Sequence, residues 1–127
     1  MKPIILNIKN LAEAETELTK IKVHPVGVKI MALKAVYCIV KFEDVDPKTA
    51  NIMKQEMLSR GGDIAVAETV GKFENKKTDI LIMGTLAQYV RLVRKLRMQS
   101  YGDCLKIAQD LADLLFKDYD LGNLSVW

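Results

Sequence analysis

The stretch Asp46–Asp63 constrains the fold more than any other part of the chain. Asp46 is a residue type that caps helix N-termini, and Pro47 suits the first helical position. The stretch ends at Gly61-Gly62, where one glycine can adopt the left-handed conformation that terminates a helix. The apolar residues between these signals recur at helical spacing and predict one core-facing stripe, formed by Ala50, Met53, Met57 and Leu58.

Apolar runs flank this helix on both sides and indicate strands. Val36–Phe42 is rich in β-branched and aromatic residues, which is typical of a buried strand, and Asp63–Val70 is a second such run. A strand, a helix and a strand in succession predict a βαβ crossover unit, which is right-handed if the two strands are parallel. We expect this unit to form the core of the domain.

The remaining segments complete an α/β pattern. Val26–Ala35 fits a short amphipathic helix, although Gly27 weakens that interpretation. The polar segment Gly71–Lys77 is too short for a crossover helix, so the strands on either side of it should be antiparallel neighbours. The other predicted elements are a first strand at Ile4–Ile8, a helix capped by Asn10 and ending before His24-Pro25, a strand at Thr78–Met83, and two helices, Leu86–Met98 capped by Thr85 and Cys104–Phe116 capped by Asp103.

Together these segments predict one α/β domain over residues 1–127. We expect a small mixed sheet of about four strands that contains the βαβ unit and is covered by four to five helices. The tail Lys117–Trp127 is expected to be ordered, with Trp127 packed against the domain.

Composition excludes several classes of protein. The 127 residues are half apolar and carry a net charge of +3, which is weak support for a polyanionic partner. No apolar run approaches the roughly 18 residues that span a bilayer, and no secretory leader is apparent, so we expect a cytoplasmic protein without membrane contact.

Cys38 and Cys104 are interpreted as reduced core residues. With a single histidine, a histidine-rich metal site is excluded, and we expect neither metal nor cofactor.

Three groups of residues are candidate sites, and each has a structural alternative. The first is Asn51, Lys54 and Gln55, which share a helix face beside Glu56 and suit a polar or anionic ligand. The alternative is an ordinary solvated helix face, which we favour because charged helix faces are common.

The second candidate is the pair Gly84-Thr85 between a strand and a helix. Backbone N–H groups at a helix start attract anions, and glycine lets a ligand approach the backbone. The alternative is a tight strand-to-helix turn with a threonine cap. We favour the turn because no Gly-Lys-Ser/Thr sequence completes a P-loop.

The third candidate is the basic segment of the following helix, where a nucleic-acid or phosphate surface is conceivable. We favour pairing with the acidic residues Asp103, Asp110 and Asp113 of the next helix, because no aromatic platform accompanies the basic residues. A nucleic-acid partner is therefore not expected. The basic residues are Arg91, Arg94, Lys95 and Arg97.

No complete catalytic constellation is present in the sequence. His24 precedes a proline, which favours an extended or turn conformation, and no nucleophile lies near it in the chain. Neither cysteine has a neighbouring base in sequence.

Three segments together resemble one protein family: Gly27–Ala35, Ala50–Asp63 and Asp79–Leu86. They are similar to an "IMxxKA … ANIxKQEMLxxGGD … DxLxMGT" series that precedes the pterin-binding barrel in some long bacterial and archaeal dihydropteroate synthases and related proteins. The similarity covers roughly Pro25 to Leu115. It implies a stand-alone relative of that pre-barrel accessory region, linked to folate metabolism.

The chain also departs from that family. The Asn-x-Thr-Pro-Asp-Ser-Phe-Ser-Asp-Gly series that opens the barrel is absent, and a (β/α)₈ barrel needs about 250 residues. Dihydropteroate synthesis is therefore not carried over. Two functions remain open: a non-catalytic module that binds a protein partner or forms a homo-oligomer, which we favour, and a protein that binds or processes a small anionic ligand, a pterin or phosphate ester, where Asn51, Lys54, Gln55 and Gly84 converge.

Overall fold

The computed structural model describes residues 1–68 and 76–117, in which helices pack against one face of a three-stranded sheet. The elements in chain order are α1 Leu11–Lys20, α2 Pro25–Ala35, β1 Tyr37–Val45, α3 Pro47–Ser59, β2 Asp63–Ala65, β3 Thr78–Thr85, α4 Leu86–Arg97 and α5 Cys104–Leu115. The α/β class and the five helices confirm the predicted fold.

The sheet has the strand order β1-β3-β2, and β3 is antiparallel to both neighbours. β1 and β2 therefore point the same way, and the predicted β1–α3–β2 crossover is present. The predicted mixed sheet was wrong, however, because β3 is inserted between the two strands of the crossover unit. The two same-direction strands consequently never pair with each other within the described sheet.

The predicted first strand at Ile4–Ile8 was also wrong, and the described sheet has three strands where about four were expected. Residues 1–9 contain no helix or strand. The segment is apolar enough for a strand, but a strand needs a partner for its backbone N–H and C=O groups. No described strand of the same chain provides one.

Helix α4 is the centre of the core, although the sequence pointed to α3. Its predicted apolar positions are all buried, and Leu92 between them is buried as well. The hydroxyl of Tyr89 lies 2.9 Å from the carbonyl oxygen of Cys38 on β1 and 2.8 Å from that of Ile82 on β3, so it donates to the sheet backbone. Burial raises the pKa of Tyr89, which keeps the phenol protonated.

Several helix starts confirm the predicted capping residues. Asn10, Asp46 and Thr85 each accept a hydrogen bond from the backbone three residues ahead. Asp103 precedes α5 as predicted but makes no side-chain cap. Its carboxylate instead accepts from the backbone N–H of Asp46, 3.0 Å away, because the starts of α3 and α5 lie together around the buried Thr49.

Some predicted elements differ from the structure in their length or in the burial of a residue. Leu58 was expected in the core stripe of α3 but is exposed, and β2 ends at Ala65 rather than Val70. The undecided segment Val26–Ala35 is helical as α2, and His24 caps it by accepting from the Val26 N–H. The predicted turn Gly71–Lys77 lies largely outside the described residues, as does the expected packing of Trp127.

Candidate functional site

The polar face of α3 is partly committed to internal bonds. The Lys54 ammonium lies 3.1 Å from a carboxylate oxygen of Asp63 and 2.8 Å from the carbonyl oxygen of Ile64, so it ties α3 to β2. Asn51 and Gln55 are exposed beside it. Of the three predicted ligand-binding residues, the lysine therefore has a structural role, and the two amides face solvent.

The environment of Asp63 favours its charged form. The Ile64 N–H donates to the Asp63 carboxylate at 2.7 Å, and this bond lowers the pKa of Asp63 most, followed by the hydrogen bond from Lys54. The arrangement stabilises the connection between α3 and β2. It also balances the charge of Lys54 without an external anion.

The Gly84-Thr85 segment is a tight turn filled by protein atoms. The Thr85 hydroxyl accepts from the Gln88 N–H, and the Gln88 side chain accepts from the Thr85 N–H at 2.8 Å, which is a capping box. A Cβ on Gly84 would lie 2.7 Å from both Gln88 Oε1 and Met57 Cε. The hydrogen bonds of the capping box satisfy the N–H groups of Thr85 and Gln88. Together with the close packing at Gly84, they favour a tight strand-to-helix turn over an anion site.

The structure therefore does not bring the predicted site residues to one open point. Lys54 reaches the start of β2, whereas Gly84 is buried beneath Met57 and Gln88. The Gln88 amide also donates to the Arg60 carbonyl, which closes the turn after α3 onto the start of α4.

The basic residues of α4 are only partly accessible. Arg97 is exposed, whereas Arg91, Arg94 and Lys95 are half-buried. Among the acidic residues expected to face them, Asp110 accepts from Lys106 at 2.7 Å and Asp113 accepts from Gln109 at 2.8 Å, both within α5. These acids are thus engaged along their own helix.

Both cysteines have raised pKa values because they are shielded from water. Cys104 is buried near the helix starts, and Cys38 is half-buried on β1. A raised pKa keeps each thiol protonated, which disfavours a role as nucleophile.

Within the described ranges, no three His, Cys, Asp or Glu residues are grouped as metal ligands require. In the same ranges, no helix is long and apolar enough to cross a membrane.

The outer face of the sheet is the surface that sequence reasoning missed. Alternate side chains of β1 and β3 point away from the helices, and Tyr37, Ile39 and Leu81 are 59%, 62% and 40% exposed. We call this surface the open face; its apolar residues are Tyr37, Ile39, Ala65, Leu81 and Met83, and the exposed Lys41, in register with Leu81, lies on the same face.

Strand register makes the open face continuous. Ile39 is paired with Met83 across β1 and β3, and Leu81 is paired with Ala65 across β3 and β2. Paired residues on one face of antiparallel strands have neighbouring side chains. Exposed apolar side chains that are contiguous across strands are candidate interaction sites.

A sequence signal for the open face did exist. The stretches Tyr37–Val40 and Ile80–Met83 are apolar without alternation, which is typical of strands that are covered on both faces. The pattern of Val36–Phe42 predicts a buried strand. The structure corrects that prediction, because Tyr37 and Ile39 are exposed and, within the described residues, the helices lie on the inner face alone.

Comparison with known proteins gives one informative similarity. The chain is 33% identical over 109 residues to the "probable bifunctional folylpolyglutamate synthase/dihydropteroate synthase" of Halobacterium salinarum. These residues are 86% of this chain but only 13% of the relative. No protein-family description matches the chain, and no solved structure matches it. The similarity supports a relationship to that bifunctional protein and assigns neither of its two named activities to this chain.

Proposed function

We propose that this chain is a non-catalytic interaction domain that packs its open face against a protein of folate metabolism. The observation that carries the proposal is the open face itself, a continuous apolar surface across all three described strands. Burying such surface is the main favourable term in protein association. A core of aromatic and large apolar residues is also the composition that protein interfaces favour.

The polar groups of the domain support a non-catalytic role. Lys54 and Asp63 bond to each other, Thr85 and Gln88 cap α4, and the His24 ring caps α2. A catalytic acid, base or nucleophile needs a reacting group within hydrogen-bond reach and a pKa suited to the reaction. These groups are instead used to join elements of the fold.

The similarity to the bifunctional protein suggests which partner to test. In that relative, the matched segment is covalently joined to a much longer chain, so it has the rest of the protein as a neighbour. A separate chain of similar sequence can make an equivalent contact by binding in trans. We therefore infer that the partner carries folylpolyglutamate synthase or dihydropteroate synthase activity.

A binding assay with open-face variants tests this proposal. The chain is titrated against the folylpolyglutamate and dihydropteroate synthases of its own organism, with Ile39→Asp and Leu81→Asp as variants. Each substitution should weaken binding by at least about tenfold, because it places a charge in an apolar contact. Leu114→Asp is the matched control, since Leu114 is equally apolar and exposed but lies on α5.

Two results would contradict the proposal. One is the absence of binding to either synthase, and the other is an equal loss of binding in the control and the open-face variants. Circular dichroism should show that all three variants remain folded, because each residue is exposed.

The second candidate function is binding of a small anionic ligand at Asn51, Lys54 and Gln55. The exposure of Asn51 and Gln55 beside the Lys54 ammonium favours it. Thermal-shift measurements with pterins, folates and phosphorylated metabolites test it, since a ligand that binds the native state raises its melting temperature. The shift should vanish in Lys54→Ala; a shift that persists would remove this residue from the site.

A further inference from the structure

The segment Met1–Lys9, here called the arm, exposes more apolar surface than its sequence would lead one to expect. Ile4, Ile5 and Leu6 are 80%, 91% and 53% exposed, and Ile8 alone in the arm packs against the core. Exposing several large apolar side chains in one segment is unfavourable in water. The arm therefore has the character of a segment that is covered in the assembled protein.

The arm also has the character of a strand without a partner. Its composition favours an extended strand, and its residues are neither helical nor paired in the described part of the chain. At the end of the arm, the backbone N–H of Lys9 donates to the Glu13 carboxylate, 2.7 Å away. Its backbone groups from Ile4 to Ile8 can therefore pair with a sheet edge.

The sheet offers such an edge at β1. In the strand order β1-β3-β2, both outer strands have one side without a described neighbour. β2 is only three residues long, whereas β1 pairs regularly with β3 from Tyr37 to Phe42 before the register shifts. Of the two edges, β1 matches the length of the arm.

Charge also favours β1 as the acceptor. Lys2 and Lys9 lie near the two ends of the arm, and the exposed acids Glu43 and Asp44 lie at one end of β1. In either strand direction, one of the two lysines comes close to these acids. The arm carries no acidic residue that would oppose this pairing, and the exposed Lys41 lies in the middle of β1 whereas the lysines lie at the ends of the arm.

We propose that the arm of one copy pairs with the β1 edge of a second copy, and that two copies exchange arms around a two-fold axis. Such strand addition gives affinity through main-chain hydrogen bonds and specificity through alternate side chains. The symmetry gives every arm an acceptor and closes the assembly at two subunits. Each sheet gains a fourth strand, and each open face becomes wider beside Ile39.

Light scattering and sedimentation of the full chain over a wide range of concentrations test the proposal. The chain should be a dimer, and the double variant Ile5→Asp/Leu6→Asp should raise the dissociation constant by at least about a hundredfold. Ile21→Asp is the matched control, because Ile21 is also an exposed isoleucine but lies outside the arm. The melting temperature of the dilute monomer should be the same in all three proteins.

Hydrogen exchange locates the acceptor edge. The amides of Tyr37–Phe42 that point away from β3 should be protected in the wild-type dimer and lose protection in the double variant, whereas the amides that bond to β3 and those of Asp63–Ala65 should not change. A wild-type chain that stays monomeric at hundreds of micromolar overturns the proposal. So does a dimer that survives the double substitution, arm-dependent protection on β2, or an arm that binds only a different protein.

Discussion

The two faces of the sheet come from the same strands but have opposite environments. On the inner face, Val40, Ile80 and Ile82 are almost fully buried under the helices. On the open face, Ile39 and Leu81, next to them in sequence, remain largely exposed. The residue types are the same, so hydrophobicity does not set the difference; the placement of the helices does.

This comparison shows that helices packed on one face of a sheet can leave apolar side chains exposed on the other face. Helices cover one face of an antiparallel sheet, and the other face is usually polar when it is solvated. Here the second face exposes Tyr37, Ile39 and Leu81, which is the basis of the proposed interaction. The predictions below test the contrast, in order of decreasing effect.

The largest effect is expected from neighbouring residues on β3. Ile82→Ala should lower the free energy of unfolding by about 2–5 kcal/mol, because it leaves a cavity among buried side chains. Leu81→Ala should cost less than about 1 kcal/mol, because its side chain is exposed in the isolated chain. Urea denaturation measures both, and similar losses would mean that the open face is already covered in the isolated protein.

A smaller effect is expected from two tyrosines on opposite sides of the sheet. Tyr89 of α4 lies on the inner side, and Tyr37 of β1 lies on the open face. Tyr89→Phe should cost about 1–2 kcal/mol, because it removes the hydroxyl that donates to the sheet carbonyls. Tyr37→Phe should leave stability unchanged, because Tyr37 lies on the open face. Thermal unfolding of both variants provides the measurement, and a larger loss for Tyr37→Phe would reverse the assignment of the faces.

The smallest effect is expected from pH. Because the pKa of Asp63 is lower in the folded chain, its ionised form stabilises the fold above the ordinary carboxyl pKa. That contribution should be lost as the pH falls below the ordinary value and through the lowered one. Melting temperatures from pH 6 down to about pH 2 should therefore fall less steeply for Asp63→Asn than for the wild type. Parallel curves would show that neither the Ile64 N–H bond nor the Lys54 contact stabilises the ionised Asp63 in solution.

The sequence predicted the elements of the fold better than their arrangement. The helical spacing of Leu86, Tyr89 and Val93 identified α4 correctly, because a helix that faces a core buries every third or fourth residue. The antiparallel pairing of β2 with β3 was confirmed, although β2 ends at Ala65 and β3 begins at Thr78, so the connection is longer than the predicted turn. Strand order was not predictable, since nothing local in β1 or β2 records that β3 lies between them.

The candidate site shows the same limit. Lys54 was correctly placed on a polar helix face, but its partners Asp63 and Ile64 belong to a different element. A solvated lysine and one bonded to a neighbouring strand have the same sequence pattern. The open face was missed because an uninterrupted apolar run does not reveal whether one or both of its faces are covered.

The sequence by itself determined where the helices start, because Asn10, Asp46 and Thr85 bond to backbone groups only three residues away. The tertiary structure alone decided which face of the sheet the helices cover and that the apolar residues Ile4–Ile8 join no strand in the described part of the chain. Those outcomes depend on contacts between elements distant in the chain. Burial is a property of what lies against a side chain, not of the side chain itself.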